Sequence, residues 1–145
     1  LRAHSRLYDT KQKVRTGKEA VMTIKEVSEK YQITQDTLRY YERVGMIPPV
    51  TRTAGGIRDY QETDLAWVEL AVCMRSAGLP VEAMIEYVKL FQEGDSTIPA
   101  RHQLLTTQRE VLLEQRAQID DTLKRLDYKI SRYEEALKTG KLTWE

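Results

Sequence analysis

A chain of 145 residues, 41% hydrophobic and 31% charged, is long enough for one domain of ordinary size plus an extension and too short for two full domains. It has no apolar run of about eighteen residues and no hydrophobic export segment near its start, so neither a membrane span nor a secretory signal is read and a cytoplasmic location is expected. The single cysteine, Cys73, can neither close an intrachain disulfide nor supply the clustered thiolates of a zinc or iron–sulfur site, and no metal or cofactor is expected.

Enzymatic chemistry finds no foothold either. The two histidines, His4 and His102, lie apart from any candidate nucleophile, and the chain lacks a glycine-rich phosphate loop, an HExxH and a CxxC. Its acidic residues are spread as solvated helix faces are. The net charge of +1 hides a segregation, however. Residues 1–21 hold six of the 23 lysines and arginines against two acidic residues, leaving 17 basic and 20 acidic side chains for the remainder. Taken whole, that remainder does not suit a polyanion. Yet from Thr37 to Arg58 the charged residues are Arg39, Glu42, Arg43, Arg52 and Arg58, a local cationic patch in a slightly acidic chain.

In chain order, "LRAHSRLYDTKQKVRTGKEAV" shows no helical or strand period and reads as a flexible leader, an expression-vector or upstream-translation remnant, with Met22 as a natural start. In "TIKEVSEKYQI", Thr23 with Glu26 three positions on forms a capping box, and Ile24, Val27 and Tyr31 share one face of a short amphipathic helix. "TQDTLRYYERVG" follows at once, with Thr34 as N-cap, Asp36 in the first turn where a negative charge suits the helix dipole, and Gly45 to end the helix. Two short helices joined by a few residues make a helix-turn-helix, whose second helix enters the DNA major groove. Adjacent helical residues point about 100° apart, so one of Tyr40 and Tyr41 packs inward. The other faces out with Arg39 and Arg43, where guanidinium and hydroxyl groups can meet phosphates or guanine edges.

Pro48 and Pro49 force an extended exit and Gly55-Gly56 permits a tight turn, which predicts a small β-hairpin wing with Arg52 and Arg58 flanking the turn and Tyr60 bracing it. Two further helices are expected, one from an N-cap at Thr63 to a stop at Gly78 and one from Pro80 to Gly94. Leu65, Val68 and Val72 on the first, and Val81, Met84, Ile85, Val88 and Leu90 or Phe91 on the second, should pack as the core under the wing. From "STIPARHQLLTTQ" to "YEEALKTG" the pattern becomes a heptad: Leu105, Leu112, Ile119, Leu126 and Tyr133 recur every seventh residue. The positions four after each are Arg109, Arg116, Leu123, Ile130 and Leu137, so both seam positions are apolar only in the second half. This long helix overruns anything the small domain could cover, and a second copy is the simplest partner for its stripe.

The segment "MTIKEVSEKYQITQDTLRYYERVGMIPPVTRTAGGIRDYQETDL" resembles the amino-terminal winged-helix domain of MerR-family transcription regulators, with their "LRYYE…GLI…R…G.R.Y" signature, and the likeness extends from Met22 to about Lys138. Met46 stands where leucine is usual and Ile57 where an aromatic often sits. The resemblance implies DNA contacts from Thr37, Arg39 and Tyr40 of the recognition helix and from Arg58 and Tyr60 of the wing, and a homodimer through an antiparallel coiled coil. It also implies a distorted promoter shared with RNA polymerase. Metal-responsive members carry cysteines around the dimerisation helix that this sequence lacks. The lone Cys73 is instead similar to that of a thiol-based, aldehyde- or electrophile-responsive subgroup. Read from its residues alone, Cys73 is an inert core cysteine, several residues from a helix N-terminus and one turn from Glu69.

The expected architecture is mainly α: a flexible leader over 1–21, a winged helix-turn-helix domain with a β-hairpin wing and two linking helices over 22–94, a long coiled-coil dimerisation helix over 95–139 and a short tail over 140–145. DNA-facing candidates are Thr37, Arg39, Tyr40, Arg43, Arg52, Arg58 and Tyr60; the effector candidate is Cys73. Leu105, Leu112, Ile119, Leu123, Leu126, Ile130, Tyr133 and Leu137 are the dimerisation candidates. Two rivals stand beside this reading: a DNA-binding regulator with a non-covalent effector or none, and a coiled-coil module that binds another protein.

Overall fold

The structure is a computed structural model that describes residues 21–145. The leader expected over 1–21 lies, apart from Val21, outside them. The described residues form five α-helices: α1 (Ile24–Tyr31), α2 (Gln35–Val44), α3 (Glu62–Ser76), α4 (Val81–Glu93) and α5 (Ile98–Thr139), with a single 3-10 turn, Asp95–Thr97, ahead of α5.

The first two helices are set by local chemistry. The Thr23 hydroxyl accepts the Glu26 amide at 3.2 Å, and the Glu26 carboxylate reaches the Thr23 hydroxyl at 3.3 Å rather than the backbone of a full capping box. Gln32 closes α1 at φ 55°, a left-handed position usually given to glycine or asparagine. The Ser28 hydroxyl and carbonyl hold Ile33 across that turn. Thr34 then caps α2 by accepting the Thr37 amide at 3.0 Å, and Gly45 ends it at φ 85°. Val27, Leu38 and Tyr41 turn inward, so of the tyrosine pair Tyr41 is buried and Tyr40 is exposed.

The expected wing hairpin is reduced to a tight loop. A single antiparallel bridge joins Arg52 to Arg58, and no strand forms among the described residues. The reason lies in where the amides go. Pro48 and Pro49 have no N–H to offer a ladder. The Val50 amide donates to the Glu42 carboxylate at 2.6 Å, the Thr51 amide points to that of Asp64 at 3.4 Å, and the Tyr60 amide donates to the Met22 carbonyl at 3.0 Å. What remains is the turn itself, closed by Thr53 N to Ile57 O at 2.8 Å and Asp59 N to Thr51 O at 2.7 Å, with Gly56 at φ 83°.

Helix α3 starts one turn-fraction earlier than the Thr63 cap predicts, because the Asp64 carboxylate accepts the Gln61 amide at 2.8 Å and makes Gln61 the N-cap. Val68, Met84 and Val88 enter the core as expected, while Leu65, Val72, Val81 and Ile85 are only partly covered. The largest additions to the predicted core are Trp67 and Tyr87, which join the expected Phe91. Trp67 meets Tyr87 at 5.7 Å and Phe91 edge-on at 5.0 Å between centroids. At the start of α5, Arg101 is buried, 6% exposed, with its guanidinium 5.3 Å over the Phe91 ring. Its Nε donates to the Thr97 hydroxyl at 3.1 Å and Nη2 to the Gly94 carbonyl at 3.3 Å, which fixes the turn into α5.

The chain divides into two compact units, one ending at Leu104 and one spanning Leu105–Glu145. The second unit is the body of α5 with its tail. At 42 residues, α5 runs roughly 63 Å at about 1.5 Å per residue. Ile119, Leu123, Leu126, Ile130, Tyr133 and Leu137 are all exposed along it, Leu137 at 85%. Residues 141–145 fold back on the helix: Arg132 donates to the Thr143 carbonyl at 2.7 Å and hydroxyl at 2.6 Å, and the Tyr128 hydroxyl to the Trp144 carbonyl at 2.5 Å. Trp144 then sits edge-on to Tyr133 at 5.9 Å between centroids.

Candidate nucleic-acid interface

The site grows from α2. Its outer side carries Arg39, Tyr40 and Arg43, all exposed, with the Arg43 guanidinium 5.6 Å from the Tyr40 ring centroid. Arg39 donates to Asp36 at 2.9 Å and to Gln35 at 3.3 Å. Both acceptors belong to its own helix and the Asp36 side chain is almost fully solvated, so the pair is a surface i,i+3 contact that holds the guanidinium only weakly. Thr37 is partly buried, and its hydroxyl lies 2.8 Å from that of Thr34, so in the free chain it serves the cap.

Glu42 joins this helix to the wing loop. Its side chain is mostly buried, and its Oε1 accepts Arg58 Nε at 2.8 Å and lies 3.6 Å from Arg52 Nη2. Oε2 takes the Val50 amide. Arg52 is further oriented by donating to the Gly56 carbonyl at 2.9 Å. Sequence reading counted Glu42 only as the lone negative charge of the patch. Its central place was legible only as the glutamate that closes the "LRYYE" signature.

Tyr60 departs from the expected set. It is 0% exposed, and its hydroxyl has no hydrogen-bond partner. Burial raises its phenol pKa above the ordinary tyrosine value, opposed by Arg58 and Arg39 and reinforced by Glu42 and Asp64. The ring therefore braces the wing from beneath instead of facing solvent. Tyr41, also buried, is raised by burial against the influence of Arg75.

Cys73 is exposed on α3, which overturns its reading as a core cysteine. Four residues earlier, the Glu69 carboxylate is taken by the Tyr31 hydroxyl at 2.9 Å, tying α3 to α1. Among the described residues no cluster of three or more His, Cys, Asp or Glu could hold a metal ion, and no helix is long and apolar enough to cross a membrane.

Comparison with known proteins gives this geometry a lineage. Residues 22–90 match the profile of the MerR HTH family regulatory protein. The crystal structure of a MerR family transcriptional regulator from Listeria monocytogenes superposes with a TM-score of 0.78 at 44% identity, over 82% of this chain and 90% of that one. The chain belongs to the MerR family. Within it, the HTH-type transcriptional regulator AdhR of Bacillus subtilis is 54% identical over 93 residues, 64% of this chain. The match spans 66% of AdhR, just under two thirds of its length. HiNmlR, described as a MerR family regulator lacking the sensor domain and solved bound to promoter DNA, superposes with a TM-score of 0.74 at 30% identity, over 83% of this chain and 96% of that one. These likenesses put the chain on the AdhR/NmlR-like side of the MerR family. The relatives it matches are named as transcriptional regulators, and no catalytic family is indicated.

Proposed function

We propose that the chain acts in the cytoplasm as a homodimer on a pseudo-palindromic promoter operator, distorting DNA that RNA polymerase shares. The observation that carries this reading is the outward face of α2, where Tyr40 stands between Arg39 and Arg43 while Tyr41 packs inward. Arg39, Tyr40, Arg43 and the partly covered Thr37 meet the major groove, and Arg52 and Arg58 of the wing loop meet flanking phosphates. HiNmlR, a relative over most of this chain, was solved on promoter DNA, which supports the same use here. The working division is a DNA-binding domain over 22–94, a dimerisation helix over 95–139 and a tail over 140–145. Smooth bending of a 20–30 base-pair site costs on the order of 1–6 kcal/mol, within reach of phosphate contacts from two subunits.

The signal in this reading is an aldehyde or related electrophile taken by Cys73. Its exposure supports that role: the thiolate sulfur can add to a carbonyl carbon while the carbonyl oxygen takes a proton. A gel shift on the promoter of its own operon at two salt concentrations tests the DNA half, and binding that ignores salt would overturn it. Reporter induction by aldehydes in a Cys73→Ser strain tests the thiol half; an unchanged response removes Cys73 from the mechanism.

A further inference from the structure

A carboxylate among the arginines of a DNA-binding domain is electrostatically out of place, and Glu42 is such a group. On α2 it points about 160° round the helix from Tyr40 and about 100° from Arg43, toward the wing loop, where its charge opposes any phosphate that Arg52 and Arg58 would meet. Yet its side chain is only 12% exposed and is tied to three groups from the wing loop: the Val50 amide at 2.6 Å, Arg58 Nε at 2.8 Å and Arg52 Nη2 at 3.6 Å. Two guanidinium groups on one carboxylate leave a net positive cluster, so Glu42 does not cancel the wing's charge.

What Glu42 supplies is order. A free arginine side chain loses rotamer entropy when it is fixed, and the wing has no strand ladder to hold it: a single bridge closes the loop. Fixing Arg52 and Arg58 before DNA arrives removes part of that cost from the binding step. The bond to Arg58 uses Nε, which leaves the terminal fork for the two oxygens of a phosphate. Arg52 is fixed from two sides, by Glu42 and by the Gly56 carbonyl.

We propose that Glu42 is a positioning residue for DNA binding: through its carboxylate the recognition helix holds Arg52 and Arg58 as one unit against the phosphate backbone. This rests on the assignment of the wing arginines to DNA. The test is fluorescence-anisotropy titration of the full chain with duplex DNA from its own upstream region, between about 50 and 200 mM salt. Simple charge counting says that Glu42→Gln, by deleting a negative charge, tightens binding. Positioning says the reverse: Glu42→Gln weakens binding about tenfold or more and flattens the salt dependence by about 0.9 to 1.8 units of log–log slope, since each lost phosphate contact is worth about 0.9 and one or both arginines lose theirs. Combined with Arg58→Ala it should cost less than it does in the wild-type chain, because only Arg52 is left for it to release.

Arg58→Lys gives a second readout that leaves Glu42 in place. It keeps the charge and loses the Nε bond together with the fork, so it too should flatten the slope. Wild-type affinity and slope in Glu42→Gln or in Arg58→Lys would overturn the proposal. If the wild-type chain itself shows no salt-sensitive binding, it is the DNA assignment that fails, and the two failures are read from different proteins. A circular-dichroism melt of each variant separates loss of the fold from loss of the hold; should Glu42→Gln unfold, Arg58→Lys alone decides.

Discussion

Replacing Ile119 by aspartate should convert the proposed dimer into a monomer. Ile119 is 60% exposed on α5, inside the stripe that also holds Leu123, Leu126, Ile130, Tyr133 and Leu137. Full burial of an isoleucine side chain is worth roughly 1.5–3 kcal/mol, so the part left unburied in one chain amounts to about 1–2 kcal/mol that only a partner can supply. A symmetric dimer counts it twice, about 2–4 kcal/mol. Setting two carboxylates on the seam adds a desolvation cost of at least a few kcal/mol. A total near 5 kcal/mol raises the dimer Kd by about three to four orders of magnitude, at 1.4 kcal/mol per decade. Sedimentation equilibrium at micromolar concentration reads this directly. Ala117→Asp is the control: it adds the same charge two residues earlier, about 200° round the helix, at another exposed position, and should leave the dimer intact. If Ile119→Asp sediments like the wild type, or if Ala117→Asp dissociates as readily, the seam is wrongly placed.

Two further substitutions probe the first unit. Arg101→Met keeps the apolar stem but leaves the Gly94 carbonyl and the Thr97 hydroxyl without their guanidinium donor and ends the contact over Phe91, so the chain should lose about 1–3 kcal/mol in urea unfolding; an unchanged midpoint would show that the buried guanidinium stabilises nothing. Tyr60→Phe removes a buried hydroxyl that has no partner, so stability should stay level or rise by up to about 1 kcal/mol and DNA affinity should not change. A tenfold loss of affinity would mean that the ring leaves its pocket to touch DNA.

What the sequence made legible was local. The caps at Thr23 and Thr34 and the stop at Gly45 act over three or four residues, so their chemistry is written in adjacent letters, and the helix pair followed from them. That one tyrosine of the pair must turn inward was also readable; which one depends on where the rest of the domain lies, and only the fold shows it to be Tyr41. The wing failed as a hairpin because its amides are captured by acceptors outside the loop: Glu42 from 8 residues away, Asp64 from 13, and the carbonyl of Met22. Glu42 and Arg101 were passed over for one reason. Charged residues on helices are read as solvated: Glu42's partners lie 8 to 16 residues away, and Arg101's, though only 4 and 7 away, come into reach only through the turn ahead of α5. Cys73 failed in the opposite direction, since a preference for burial said nothing of the side of α3 on which it falls.

The chain carries two tryptophans in contrasting surroundings. Trp67 is sealed between Tyr87 and Phe91 in the first unit, whereas Trp144 stands half open against Tyr133, a residue of the proposed seam in the second. Their emission should differ in colour and in access to a soluble quencher. The protein thus holds two built-in optical probes, one reporting the integrity of the DNA-binding fold and the other the closing of two subunits, and both can be followed without attaching a dye.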